Sequence, residues 1–281
     1  LSGVSLSGDR FFYENPLSAD PVRNAFNVSR AKGLQEHLPI LSRVKVFDCS
    51  CCPPNLLRFV GSIADYMYSV SGNTIYAHCY MDAEGEIETS AGKMKLKQET
   101  RYPYDGKIRI LTETEGACEI ALHLPSWSEQ WKLTINGKEA EAVLRKGYLY
   151  VQREWKCGDC LELELDMGIR FWESNPRVID TSGRIAVTRG PLVFCAEGID
   201  NEDLLLRDVR IKPMQEGKIC FRQMEGTTLP VLELDAEARE EEADLYVKPG
   251  KSLRNVKLHL IPYFAWANRQ VTSMNTWFLE E

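Results

Sequence analysis

From about Asn73 onward, apolar and polar residues alternate with a period of two. Clear runs are Thr74-Ile75-Tyr76-Ala77, Glu119-Ile120-Ala121-Leu122-His123-Leu124, Lys132-Leu133-Thr134-Ile135 and Leu161-Glu162-Leu163-Glu164-Leu165. Strands put successive side chains on opposite faces, so this alternation predicts antiparallel strands with one buried face. Asn136-Gly137 reads as a type I′ hairpin turn, and Glu84-Gly85 and Gly158-Asp159 read as further turn pairs. A second strand-rich stretch follows Trp172, through Arg184–Val187, Leu192–Phe194, Asp208–Ile211 and Lys257–Ile261. The acidic segment Glu237 to Asp244 interrupts it as a solvated loop. One stretch has the helical period instead: Leu56, Val60, Ile63, Ala64 and Met67, with Pro54 and Asn55 at the first turn. Residues 1 to 55 are irregular and punctuated by Gly and Pro. The coarse expectation is two β-sandwiches behind a helical stub.

The chain has 281 residues, 44% hydrophobic and 27% charged, enough for two or three packed units and incompatible with disorder or a collagen repeat. Its 34 Lys and Arg against 41 Asp and Glu give a net charge of −7, which repels phosphate backbones, so nucleic acid is not an expected partner. No apolar run reaches the ~18 residues of a membrane span, and the opening residues show no signal-peptide pattern; the expectation is a cytoplasmic chain with no membrane partner. The chain opens on Leu1, not Met, so a piece of a longer polypeptide is expected.

Nine cysteines include three within four positions, Cys49, Cys51 and Cys52, a spacing poorly suited to mutual disulfides and so read as reduced thiols. They sit in Phe47-Asp48-Cys49-Ser50-Cys51-Cys52-Pro53-Pro54-Asn55, just before the helix. Thiols at a helix N-terminus feel the positive end of the macrodipole, which favours thiolate, the form that binds metal and attacks electrophiles. A soft cation such as Zn²⁺ could be shared by Cys51 and Cys52, but tetrahedral zinc needs about four ligands, so at least one must come from elsewhere. The bland alternative is that these cysteines are small apolar fillers.

Other features carry less. Cys157-Gly158-Asp159-Cys160 matches C-x-x-C but reads better as a hairpin turn than as half of a zinc ribbon. His37, His78, His123 and His259 are scattered and read as structural. Asp9, Glu14 and Asp48 lie in or before the cysteine segment without forming a paired acid and base. Asn27-Val28-Ser29 fits a glycosylation sequon, of little weight beside so many thiols. Trp155, Trp172, Trp266 and Trp277 flank strand runs and read as core more readily than as sugar platforms.

Four blocks together resemble glycoside hydrolase family 127. They are Asp9-Arg10-Phe11-Phe12-Tyr13-Glu14-Asn15-Pro16-Leu17, Cys51-Cys52-Pro53-Pro54-Asn55, Gly183-Arg184-Ile185-Ala186-Val187-Thr188-Arg189-Gly190-Pro191-Leu192-Val193 and Pro262-Tyr263-Phe264-Ala265-Trp266-Ala267-Asn268-Arg269. The resemblance runs in matching order from Asp9 to Trp277. It implies a bacterial retaining β-L-arabinofuranosidase acting on an arabinose-containing oligosaccharide or glycoconjugate, and it allows a homodimer. The implied fold is mainly β: two jelly-roll-like β-sandwiches following the C-terminal helical remnant of an (α/α)6 barrel. The implied domains are 1–70, the remnant with the cysteines; 71–172, the first sandwich; and 173–281, the second, with the last strand returning to the first as a variant.

By the same resemblance, Cys51 is the nucleophile and, with Cys52, a ligand to Zn²⁺; Cys49 also matches a family cysteine. The thiolate would attack the anomeric carbon and water would later release the sugar. The family's acid/base glutamate, a zinc-binding glutamate and one more cysteine ligand lie well before the cysteine pair, whereas only 50 residues precede Cys51 here and none forms Glu-x-Cys. The expectation is a C-terminal part that is inactive alone. A noncatalytic carbohydrate-binding or scaffold module is the alternative, and a thiol redox or structural-zinc module a weaker third.

Overall fold

The computed structural model describes residues 3–12, 15–21, 41–45, 51–202, 204–239, 246, 248 and 252–281. The chain is mainly β and divides into two compact units, one of Leu57–Gly168 and the other of Leu1–Leu56 with Ile169–Glu281.

The Leu57–Gly168 unit is a sandwich of two sheets. One has five strands in the order Val143–Arg145, Tyr148–Trp155, Gly116–His123, Thr74–Ala77 and Tyr68–Ser71. The other has six, in the order Ala83–Thr89, Gly92–Thr100, Lys107–Thr112, Cys160–Leu165, Trp131–Ile135 and Lys138–Glu139. Alternation decides which side chains go between them. Leu161, Leu163 and Leu165 are buried while Glu162 and Glu164 face outward, and they pack with Ile75, Ile120, Leu149, Leu96 and Ile110 in one core. Trp155 is fully buried there, and its indole N–H donates to the Cys118 carbonyl at 3.1 Å, so the core holds no orphaned donor at that ring.

The turns are partly as expected. Asn136 and Gly137 both take positive φ, 53° and 73°, between Trp131–Ile135 and Lys138–Glu139, as a type I′ turn requires. Glu84-Gly85 is not a turn but lies inside the strand Ala83–Thr89, because the alternating run around it pairs without a break with Gly92–Thr100. The Cys157–Cys160 stretch is not a hairpin either: Tyr148–Trp155 belongs to the first sheet and Cys160–Leu165 to the second, so Gly158, with φ 88°, turns the chain from one layer to the other. Nor are all neighbours antiparallel. Thr74–Ala77 runs parallel to Gly116–His123, since the chain between them first builds three strands of the opposite sheet.

In the other unit a single ten-stranded sheet folds over on itself in a sandwich-like layout. Leu192–Glu197 pairs with Leu253–Pro262, which pairs with Thr227–Arg239; Arg210–Ile211, Trp277–Glu280 and Arg184–Arg189 continue the series, and the last pairs back with Leu192–Glu197. This ring of six strands encloses Phe194, Val187, Leu232, Leu260 and Phe278, all fully buried. The last strand therefore stays here and does not return to the first sandwich, because its partners Ile185 and Arg210 offer it both edges. The N-terminal residues group with this unit, and Ser18–Ala19 adds a short strand against Met274–Asn275. Glu237, expected in a loop, lies within Thr227–Arg239 and pairs with Asn255; residues 240–245 lie outside the described residues. Trp266 is buried as expected, but Trp172 is 47% exposed, because it stands on the edge strand Ile169–Glu173 and turns outward, its indole N–H donating to Thr188 Oγ1 at 2.7 Å.

The periodic helix, α1, spans Cys52–Ser62 and continues as a 3-10 turn over Ile63–Tyr66. It starts two residues before the expected Pro54. Pro53 and Pro54 fit its first turn, where backbone N–H groups have no intrahelical partner.

Candidate active site

Cys51 is the residue before the first turn of α1 and Cys52 is the first within it. Cys51 is exposed and Cys52 half-buried, and their sulfurs stand 3.7 Å apart. With Zn–S bonds of about 2.3 Å, two corners of a tetrahedron lie about 3.8 Å apart, so the pair fits two positions of a zinc shell as it stands. Among the described residues no group of three or more His, Cys, Asp or Glu gathers to complete one. Cys49, Asp48, Glu14, His37 and Asn27-Val28-Ser29 lie outside the described residues.

The remaining histidines have structural partners. His78 stands 2.7 Å from Ser69 Oγ through Nε2 and 2.7 Å from the Tyr148 hydroxyl through Nδ1, and His259 Nδ1 is 4.0 Å from Glu233. Burial, then the nearby His78, holds the His123 imidazole below its ordinary pKa, which favours its neutral form.

In the same compact unit as the cysteines, a polar corner forms around Phe264–Arg269. Phe12 stacks on Trp266 with ring centroids 4.8 Å apart and planes 9° from parallel. Arg43, only 5% exposed, donates to the carbonyls of Trp266, Phe264 and Gly3 and lies 4.4 Å over the Phe12 ring. Burial lowers the Arg43 pKa to about 10, against the pull of Glu197, so it stays charged at neutral pH. Glu197, 1% exposed, accepts the Ala267 N–H at 2.7 Å and pairs with the Arg269 guanidinium. Arg269 also bonds both oxygens of Asp200, which Arg222 meets at 2.7 Å. Burial pushes the Glu197 carboxyl up, outweighing Arg269; at Asp200 burial again pulls upward, but Arg269 and Arg222 win and hold it below the ordinary carboxylate value.

A cavity of about 400 Å³ opens beside this corner, lined among others by Ser5, Asp9, Arg10, Arg43, Asn268 and Arg269. Hydrogen bonds from the Ser7 hydroxyl, more than from Ser5, keep the exposed Asp9 carboxyl below its ordinary pKa. Trp266, Arg269 and Asp9 stood in the blocks that carried the resemblance. Arg43, Glu197 and Asp200 carried no signal of their own, being single charged residues in otherwise ordinary stretches.

Models of three domains of one family match the chain end to end: the catalytic domain of the family 127 β-L-arabinofuranosidases over residues 1–65, their middle domain over 74–167, and the glycoside hydrolase family 127 C-terminal domain over 169–279. The chain belongs to glycoside hydrolase family 127. A non-reducing end β-L-arabinofuranosidase of Bifidobacterium longum subsp. longum is 31% identical over 98% of this chain and 42% of its own length. The crystal structure of a family 127 β-L-arabinofuranosidase from Geobacillus stearothermophilus T6 superposes with a TM-score of 0.89 at 31% identity, covering all of this chain and 44% of that one. A family 127 β-arabinofuranosidase structure gives a TM-score of 0.84 at 32% identity, over all of this chain and 43% of that one. The chain thus spans less than half the length of these family 127 relatives. Within the family frame, the cysteine pair falls in the stretch matched to the catalytic domain, the middle-domain match lies within the Leu57–Gly168 unit, and the C-terminal-domain match covers the Ile169–Glu281 part of the other unit. No helix among the described residues is long and apolar enough to cross a membrane.

Proposed function

We propose that this chain is the C-terminal part of a retaining glycoside hydrolase that releases arabinofuranose from β-L-arabinofuranosides, with Cys51 as nucleophile and with Cys51 and Cys52 as two of the ligands of a zinc ion. The observation that carries this reading is the pair of accessible sulfurs 3.7 Å apart at the head of α1. Names of the family 127 relatives support the substrate class.

Zinc, when bound, keeps sulfur deprotonated near neutral pH. The Cys51 thiolate then attacks the anomeric carbon, a C–S bond forms, and the glycosidic C–O bond breaks with its electron pair going to the leaving oxygen, which takes a proton. Water next attacks the same carbon and gives one proton to the group that donated in the first step, the C–S bond breaks, and Cys51 leaves as thiolate; two inversions give retention. The family resemblance assigns the proton donor to a glutamate of the barrel half. General acid catalysis contributes about 10²- to 10⁴-fold, so the chain by itself is expected to show no turnover of an aryl β-L-arabinofuranoside.

The test uses the enzyme completed with its barrel half. A mechanism-based β-L-arabinofuranoside trap should modify the peptide containing Cys51, and Cys51→Ser and Cys51→Ala should abolish turnover with the fold retained. An adduct on a carboxylate peptide, or wild-type rates for either variant, would overturn the mechanism.

A further inference from the structure

The cavity of about 400 Å³ beside the Phe264–Arg269 corner is walled by the loop around Ser5–Arg10, by the stretch Ala267–Val271 and by Glu225. All three walls belong to one compact unit, and each is anchored by the fold. The loop closes on itself: the Ser5 N–H donates to the Arg10 carbonyl at 2.8 Å and the Gly8 N–H to the Ser5 carbonyl at 2.9 Å. Asn268 Oδ1 accepts the Leu6 N–H at 2.8 Å, which ties the loop to the stretch, and the neighbouring Arg269 is held by Glu197 and Asp200. Glu225 and Gly226 take positive φ, 44° and 79°, so the chain reverses from Lys218–Met224 into Thr227–Arg239 with Glu225 at the hairpin tip.

The polar groups around the cavity are unequally spent. Arg43 gives its nitrogens to three main-chain carbonyls, and the Asn268 amide donates to the Ala265 carbonyl at 2.8 Å. At Asp9 the Ser7 hydroxyl and the Ser5 hydroxyl, the latter at 3.3 Å, both meet Oδ1. Oδ2 is left with Arg10 Nε at 4.0 Å, beyond hydrogen-bond range. Among the described residues, the side chains of Arg10, Glu225 and Gln270 make no hydrogen bond within the protein. Two carboxylate acceptors and two donors that the fold does not use therefore line one cavity, whose volume is within the ~300–1,000 Å³ of small-molecule sites.

An anion entering here meets the carboxylates of Asp9 and Glu225, and a cation meets the guanidinium of Arg10. A neutral polyol suits both, because each hydroxyl donates once and accepts as well. We infer that this cavity is a carbohydrate-binding site that holds an uncharged glycosyl unit, with Asp9 and Glu225 accepting from its hydroxyls and Arg10 and Gln270 donating to its oxygens. Its role is to keep a further unit of an arabinose-containing glycan on the protein, which raises the effective concentration of the rest of that glycan. The site is separate from the chemistry proposed for Cys51, since none of these four residues takes part in that step.

The experiment titrates methyl β-L-arabinofuranoside into the isotopically labelled chain and follows the backbone amides by NMR. Amides of residues 5–10, 225–226 and 267–271 should shift together and saturate. Asp9→Asn and Glu225→Gln should each raise the half-saturation concentration about three- to tenfold, since a hydrogen bond to a charged acceptor is roughly twice as strong as to a neutral one. Asp235→Asn, which removes an exposed carboxylate elsewhere in the unit, should leave the titration unchanged. Should Asp9→Asn disturb its loop before sugar is added, the Glu225→Gln arm decides. The Cys51→Ser, Cys52→Ser double variant should titrate like wild type, so failure of the cysteine reading would leave this site standing. Sodium acetate at the same concentrations should move none of these amides. Acetate shifts matching or exceeding those of the sugar, sugar shifts confined to other residues, unchanged half-saturation in the Asp9 and Glu225 variants, or an equal effect of Asp235→Asn would each overturn the assignment.

Discussion

The Asn136 amide donates to Asp159 Oδ1 at 2.7 Å while its carbonyl oxygen accepts the Cys160 N–H at 2.9 Å, so the type I′ hairpin and the crossing between the two sheets are tied together. Asp159 Oδ2 also accepts the Lys156 N–H at 3.0 Å and faces Arg153 at 3.3 Å. Asp159→Ala removes hydrogen bonds centred on a side chain that is itself buried, although its donors can reach water, and should lower stability by about 1 kcal/mol at pH 7. The hydrogen bond from Asn136, then that from Lys156, holds the Asp159 carboxyl below its ordinary value. A depressed carboxylate pKa contributes stability above the unfolded value of about 3.9 that is lost as pH falls through the folded one. Urea melts at pH 7 and near pH 3 should therefore show the gap between wild type and variant closing in acid.

Glu197 should behave oppositely with pH. Its carboxyl is raised by burial, so its contribution is greatest in acid and is lost as pH rises through the folded value. Wild type should lose ground to Glu197→Gln, which has no such titration, between about pH 4 and neutrality. Glu197→Ala is a different matter, since it orphans the Ala267 N–H and strips Arg269 of one carboxylate; a loss of about 3–5 kcal/mol is expected. Denaturant melts of both variants at two pH values test this, and equal costs for Gln and Ala would refute the assigned hydrogen bond.

Two glycines should respond differently to alanine. A Cβ on Gly106 would stand 2.2 Å from the Leu165 carbonyl oxygen, main chain that cannot swing aside, whereas one on Gly85 would meet nothing within 4 Å. Gly106→Ala should cost more than about 2 kcal/mol by forcing backbone apart, and Gly85→Ala should fall within about 0.5 kcal/mol of wild type. Thermal unfolding followed by circular dichroism separates the two.

Metal should matter to the cysteines and not to the sheets. The core of the Leu57–Gly168 unit is built from residues such as Ile75, Leu122 and Leu163, none near the cysteines in sequence, so a chelator should leave the β-sheet signal and the melting temperature unchanged. Elemental analysis of protein purified without added metal should find zinc reduced in the Cys51→Ser, Cys52→Ser double variant. Equal zinc in both proteins, or global unfolding on chelation, would contradict the assignment of the cysteine pair as an accessible site.

Local pattern alone determined much of this protein. Alternation at Leu161–Leu165 and Thr74–Ala77 named the strands and their buried faces, since the side-chain period of a strand is a property of the backbone itself. Asn136-Gly137 announced its turn because few residue pairs accept two positive φ values, and the motifs around Cys51 and Trp266 announced the family. What alternation cannot carry is the identity of a strand's partner. Thr74–Ala77 lies parallel to Gly116–His123, and Gly158 turns between sheets, because each strand settles against whichever edge buries its apolar face. The charged residues were the least legible. Arg43, Glu197 and Asp200 look like solvated surface in the sequence, and only the folded chain, by carrying Trp266, Ala267 and Arg269 to them, supplies the carbonyls, amide and guanidinium that make their burial tolerable.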